Sequence, residues 1–147
     1  MKTEYQQVRD FMRAFGQRVP YSVTLPEIVD REMRDGLIRE ECEELYTANT
    51  PIEKLDAVID LLYVVLGAGV DCGFTPEQIA AGFSEVHRSN MSKMWYELDC
   101  LSSNMPDGWT QDRAPHDATR FVVRNEIGKI VKSPSYSPAN LGPILWR

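Results

Sequence analysis

Carboxylates are concentrated in residues 39–45, whose sequence is REECEEL. At about 100° per residue in a helix, Glu40, Glu41 and Glu44 share one face, whereas Glu43 points elsewhere. These three glutamates interrupt an apolar stripe that continues before and after them. Because a carboxylate in apolar surroundings needs a compensating cation, the pattern indicates a hard divalent metal ion, Mg2+ or Mn2+. Taken alone, REECEEL would more often be a solvated helix face.

A second pair of acids, Asp56 and Asp60, lies four residues apart among apolar residues of the next predicted helix. Residues with this spacing share a helix face, so the pair can point inward together. Asp56 has an equally good explanation as a first-turn acid that complements the helix dipole. Asp60 is too deep in the helix for that role, and we therefore expect it to be a metal ligand.

A third group combines an amide with cations in the block HRSNMSK. If the helix extends to Lys93, then Asn90 and Lys93 continue an apolar stripe, with Arg88 nearby. A lysine and an amide opposite metal-binding carboxylates are suited to a polyphosphate, whose charge they neutralise and orient. Each residue alone has a simpler explanation, Lys93 as an extended surface lysine and Asn90 as a helix cap.

Four helices would have to position these side chains. Apolar periodicity and capping residues predict helices over Tyr5–Phe15, Pro26–Ala48, Pro51–Val70 and Pro76–Lys93. The third is apolar in nearly every direction, which in so short a chain favours burial by oligomerisation. Residues 96–147 are rich in turn-forming residues, with a small β-hairpin predicted around Asn125 to Gly128.

Composition excludes several classes of protein. The chain has 147 residues, which fits a single domain, and a net charge of −6, which disfavours polymeric nucleic acid as a partner. Three cysteines without metal-ligand spacing are typical of a reducing compartment. The longest apolar run, Leu61 to Val70, is shorter than the roughly 20 residues of a membrane span. We therefore expect a soluble, cytoplasmic protein that binds no membrane.

The motif Glu40-Glu41-x-x-Glu44, followed on the next helix by Asp60-Leu-Leu-Tyr, resembles the signature of the all-α nucleoside triphosphate pyrophosphohydrolase superfamily. The chain is most similar to small MazG-like, or phosphoribosyl-ATP pyrophosphohydrolase-like, proteins of bacteria and phages. The resemblance extends to DFMRAFGQRVP, EVHRSNMSK and GKIVKSPSYSP. One position departs from it, because the family pattern ExxD places an acid where this chain has Ala57. Asp56, one residue earlier, is a candidate replacement.

The resemblance implies a fold and an assembly. The fold is an all-α, MazG-like bundle of four to five helices with an irregular C-terminal segment. The bundle would be a single domain, with a helical part over about residues 1–95 and a C-terminal extension over about 96–147. A homodimer or homotetramer is implied as well.

The implied reaction is hydrolysis of a nucleoside triphosphate to a monophosphate and pyrophosphate, with about two to three Mg2+ or Mn2+ ions per site. Glu41, Glu44 and Asp60 would be the principal metal ligands, with Asp56 as a further one. Glu40 would be a ligand or the base that activates water. Catalytic roles fall to Glu40, Glu41 and Lys93; the expected substrate contacts are Asn90, Lys93, Arg88, Phe15, Gln17, Lys132 and Tyr136.

The substrate is less defined than the reaction. Phage proteins that resemble this chain act on purine deoxynucleotides, which favours dGTP or dATP. Hydrolysis of phosphoribosyl-ATP in histidine biosynthesis is an alternative. A non-catalytic helical module that binds a nucleotide is another, because Ala57 replaces a family acid.

Overall fold

The computed structural model describes residues 2–146. Their helices are α1 (Glu4–Ala14), α2 (Ile28–Thr47), α3 (Pro51–Asp71), α4 (Pro76–Met91), α5 (Glu97–Ser102) and α6 (Gly142–Leu145). The strands are β1 (Trp95–Tyr96), β2 (Thr110–Ala114) and β3 (Asp117–Arg124). By its contacts the chain divides within α4, into a unit that ends at Ala80 and a unit that begins at Ala81.

In the N-terminal unit, α3 packs against both α1 and α2. Its start is fixed by a capping box, in which the Thr50 hydroxyl accepts from the Glu53 amide at 3.2 Å and Pro51 occupies the first turn. The core of this unit is formed by Tyr5, Val8 and Met12 of α1 with Val70 of α3. The predicted positions of α1, α2 and α3 are correct to within about two residues.

The loop between α1 and α2 is held against the end of α3. The Thr24 amide donates to the Cys72 carbonyl at 3.0 Å. Gly73 has a φ of +73°, and a Cβ there would lie 2.2 Å from the Ser22 carbonyl oxygen, so only glycine fits. The close approach places the residues after α1 beside the helix that carries Asp60.

The C-terminal unit contains a three-stranded antiparallel sheet in the order β1-β3-β2. Trp95 pairs with Phe121 and Gln111 with Val123. Its core packs Trp95 of β1 and Cys100 of α5 against Val123 of β3, which is fully buried.

The prediction of an all-α bundle of four to five helices with an irregular C-terminal segment is therefore wrong. The described residues combine six helices with a sheet. A turn does form around Asn125 to Gly128, where the Gly128 amide donates to the Asn125 carbonyl at 2.9 Å. The main hairpin lies earlier, between β2 and β3, because Val123 and Phe121 supply the buried face that the sheet needs.

No single helix within residues 2–146 is long and apolar enough to cross a membrane. The consecutive helices α3 and α4 would be long and apolar enough only in combination, and the angle between them is 117°.

Candidate functional site

A pocket of about 310 Å³ opens in the N-terminal unit where α1, α2 and α3 meet. Two of the predicted metal ligands, Glu41 from α2 and Asp60 from α3, face it together, as does Gln17 from the loop after α1. The residues that line this acidic pocket are Val8, Phe11, Met12, Gln17, Arg34, Leu37, Glu41, Asp60, Tyr63 and Val64.

Glu41 is the acid in the least favourable surroundings. Its Oε2 atom is shielded from water and accepts no hydrogen bond. Burial raises the pKa of Glu41, and the negative charges of Glu44, Asp60, Glu40 and Asp56 raise it further, in that order. The acids that were predicted to face inward therefore lie close enough together to influence one another's ionisation.

Two of the other three predicted ligands line another pocket of the same unit, whereas the third, Glu40, is exposed on α2. Glu44 of α2 and Asp56 of α3 lie on the wall of a pocket of about 370 Å³ in the same unit. Between the two predicted α3 acids is Ala57, which is only 3% exposed. Asp56 is exposed, and it lines this pocket together with Ala57, the position at which the family pattern has an acid.

Within residues 2–146, no three acidic, histidine or cysteine side chains converge closely enough to enclose a metal ion by themselves. Mg2+ does not need such a cage, because it retains several waters and binds through one or two carboxylates together with substrate phosphates. The partnerless Oε2 of Glu41, surrounded by further carboxylates, fits that mode of binding. Glu41 and Asp60, which line one pocket, are the residues that would hold the ion.

Arg34 was not predicted, yet it lines the same pocket as Glu41. Its Nε donates to Asp71 Oδ2 at 2.8 Å, and its buried Nη2 has no hydrogen-bond partner. Arg34 and Glu41 are seven residues apart and share a helix face, which is the one signal for Arg34 in the sequence. The acidic pocket is thus lined by a buried guanidinium whose charge is paired with Asp71.

The aromatic residues near the acidic pocket come from α1 and α3. Phe11 packs edge-on against Tyr63, with ring centroids 5.7 Å apart, and both line the pocket. Phe15, predicted to contact the substrate, packs against Phe11 with ring centroids 4.4 Å apart and the rings tilted by 34°, and it is 69% exposed. Of the two predicted base contacts in this unit, Gln17 lines the pocket, whereas Phe15 extends the aromatic pair outward.

The remaining predicted substrate contacts belong to the C-terminal unit. Although α4 ends at Met91, the turn that follows brings Lys93 Nζ to within 2.7 Å of Asn90 Oδ1. Arg88 pairs with Glu85 through two bonds of 2.8 Å. The ammonium of Lys132 lies 4.4 Å from the centre of the Tyr136 ring, and the Tyr136 hydroxyl contacts Ser89 at 3.1 Å.

The chain matches a known protein family over more than half of its length. Residues 8–90 match the family model described as phosphoribosyl-ATP pyrophosphohydrolase. This range contains α2 and α3 in full, and with them the predicted acids and Arg34. No curated protein matches the chain.

Proposed function

This chain belongs to the phosphoribosyl-ATP pyrophosphohydrolase family, within the MazG-like nucleoside triphosphate pyrophosphohydrolase superfamily, and from that premise we propose its specific reaction. Membership supports a hydrolase that acts on nucleotide pyrophosphate bonds. We propose that the protein converts a (deoxy)nucleoside triphosphate and water to the monophosphate and pyrophosphate, with Mg2+ or Mn2+, and that it prefers purine deoxynucleotides.

One observation carries the proposal: the carboxylate of Glu41 is partly buried without a hydrogen-bond partner, among other acids. Such an arrangement is costly in a protein that does not bind a cation, since desolvation and like charge both oppose ionisation. A bound metal ion would polarise the α-phosphoryl group and favour ionisation of an attacking water. Glu41 and Asp60 would hold and orient the metal ion.

The other side chains have distinct tasks in this proposal. Glu40, exposed on α2, is a further ligand or the base that accepts the proton of water. Lys93, held by Asn90 at 2.7 Å, supplies a compact positive charge for the phosphates. Phe11, Tyr63 and Gln17 form the wall of the acidic pocket that a base would contact.

The products test the reaction. We would incubate the protein with each NTP and dNTP and with Mg2+ or Mn2+, in water enriched in ¹⁸O. Attack at the α-phosphorus places the label in the monophosphate, with unlabelled pyrophosphate as the second product. A nucleoside diphosphate with inorganic phosphate would refute the proposal.

Two variants separate catalysis from contamination and from simple binding. Glu41→Gln keeps the side-chain size and removes the charge, and it should lower turnover by at least about 100-fold. Glu43→Gln, on the exposed side of α2, removes the same charge and should be active. Turnover confined to phosphoribosyl-ATP would point to histidine biosynthesis, which no feature of the pocket favours.

A homodimer or homotetramer is also part of the proposal. Along α3, a row of apolar side chains is exposed in the single chain: Ile52, Leu55, Val58, Ile59, Leu62 and Val65. A row of exposed apolar side chains along one helix is typical of a protein interface. Light scattering at micromolar concentration should give two or four times the 16.8 kDa chain mass, and a monomeric mass would contradict the proposal.

A further inference from the structure

A groove of about 530 Å³ in the C-terminal unit contrasts in charge with the acidic pocket. Although the whole chain has a net charge of −6, none of the described residues on this groove is acidic. Three are lysines. We call it the lysine groove, and its lining is Lys93, Trp109, Asn125, Lys129, Ile130, Val131 and Lys132.

The lysines reach the groove from backbone segments that are hydrogen-bonded to the rest of the unit. Ser133 Oγ donates to the Ser92 carbonyl at 2.9 Å, which fixes Lys132 near Lys93. The turn after β3 is closed by a 3.0 Å bond from the Asn125 amide to the Lys129 carbonyl. The convergence of the three lysines is therefore a property of the fold.

The apolar side of the groove is equally well anchored. Trp109 and Val131 pack against the buried core of Trp95 and Val123. Trp95 Nε1 donates to the Val131 carbonyl at 3.2 Å, so the segment between Lys129 and Lys132 is held on the core. One part of the groove is thus apolar and anchored on the core, and the three lysines line the groove with it.

The groove carries the charge of three lysines, and none of its described lining residues supplies a compensating negative charge. Within a Debye length of about 8–10 Å, the attraction between these lysines and a bound anion is incompletely screened. Lysine is a compact donor that suits phosphate oxygens. A long polyanion would be repelled by the acidic remainder of the protein, whereas a short chain of phosphates carries its charge within the groove.

We propose that the lysine groove binds an oligophosphate, either free or as the phosphate tail of a nucleotide, and that Lys129 and Lys132 are binding residues for it. The inference rests on the proposed function through Lys93, which contributes to both; Lys132 was also predicted from the sequence as a substrate contact. It assigns a binding role to the turn after β3, beyond the residues 8–90 that match the family.

Calorimetric titration of the full-length protein with sodium tripolyphosphate tests this inference. EDTA is present throughout, so that no divalent ion can hold the anion at the carboxylates. We expect Lys129→Gln and Lys132→Gln each to weaken binding by about fivefold, and added salt to weaken it further. Lys2→Gln, in the other unit, is the matched control and should bind within about twofold of wild type.

Two results would overturn the inference: no heat of binding at millimolar tripolyphosphate, or wild-type affinity in both Lys129→Gln and Lys132→Gln. Circular dichroism verifies that the variants are folded. A parallel titration with dGTP identifies the source of the phosphates, since tighter binding than tripolyphosphate indicates a nucleotide and weaker binding indicates the free anion.

The proposed reaction and the lysine groove can fail separately. Lysine-dependent binding of tripolyphosphate in a protein that releases no pyrophosphate from any nucleotide would refute the reaction and support the groove. Pyrophosphate release together with binding of tripolyphosphate that does not depend on the lysines would support the reaction and refute the groove.

Discussion

Arg34 and Asp71 form a buried ion pair that joins the middle of α2 to the C-terminal residue of α3. The distance from Arg34 Nε to Asp71 Oδ2 is 2.8 Å, and the two side chains are only 9% and 4% exposed. The carbonyl of Asp71 also accepts from Arg18 Nη1 at 2.5 Å, so the end of α3 holds the loop after α1 as well. This pair therefore ties α2, which carries Glu41, to α3, which carries Asp60.

Asp71→Asn should be strongly destabilising, because it leaves the guanidinium of Arg34 buried without a negative partner. The expected loss in the free energy of unfolding is about 3–5 kcal/mol. Urea denaturation followed by circular dichroism measures it. The double variant Arg34→Met with Asp71→Leu removes both charges and should recover most of the stability. If the double variant were as unstable as the single one, the loss would come from packing and not from the unpaired charge.

Two glycines give a matched test of how closely α3 approaches Arg34. A Cβ at Gly67 would lie 2.8 Å from Arg34 Nη1, whereas at Gly36 no atom lies within 4 Å. Gly67→Ala should therefore cost about 1–3 kcal/mol, because the guanidinium is held by Asp71 and cannot move freely. Gly36→Ala, inside α2, should stabilise by roughly 0.5–1 kcal/mol. Thermal unfolding compares both variants with wild type, and equal effects would contradict the close approach.

The helices were predictable because their signals are local. Thr50 and Glu53 cap α3 from positions three residues apart. At the start of α4, the backbone amide of Gln78 donates to the hydroxyl of Thr75. Helical spacing likewise places Glu41 and Glu44 on one face of α2, because that relation depends only on the rotation per residue. The approach of Asp60, which lies on α3, depends instead on how the two helices pack.

The features that were missed depend on contacts between distant residues or on weak local patterns. Arg34 and Asp71 are 37 positions apart, and no local pattern pairs them. Strand β2 reads TQDRA and is exposed except at Ala114, so it lacks the alternation that identifies a half-buried strand. The lysine groove was missed for the same reason, because Lys93 and Lys129 meet only through the packing of the sheet unit.

The phenol of Tyr5 should ionise at unusually high pH. Its hydroxyl donates to the Phe74 carbonyl at 2.5 Å, and burial raises its pKa from 10.0 to about 12. Since the folded pKa is the higher one, this group's contribution to stability is complete below pH 10 and is lost as the pH rises from 10 toward 12. Ultraviolet titration should show a late ionisation step with a pKa of about 12. In Tyr5→Phe that late step should be missing, and its persistence would assign it to another residue.

Glu85 should make the C-terminal unit sensitive to acid. Hydrogen bonds from Arg88 and from the Asn140 amide lower the pKa of Glu85 to about 2. The folded pKa is therefore depressed, so its stabilising contribution is present above pH 4.5 and is lost as the pH falls toward 2. Thermal melting of wild type and Glu85→Gln across this range measures the contribution. The difference in melting temperature should be largest above pH 4.5 and should disappear near pH 2; a constant difference would rule out titration of this carboxylate.

Metal binding should be visible in stability without any substrate. The carboxylates around Glu41 repel one another in the metal-free protein, so Mn2+ or Mg2+ should raise the melting temperature. At 100 times its dissociation constant, a bound ion adds about 2.7 kcal/mol to the free energy of unfolding. Glu41→Gln should abolish most of that gain while slightly stabilising the metal-free protein, because the repulsion is relieved. Glu43→Gln, an exposed neighbour on α2, should respond to metal as wild type does. If Glu41→Gln showed an undiminished response, the ion would bind elsewhere, and the assignment of the acidic pocket as the metal site would be wrong.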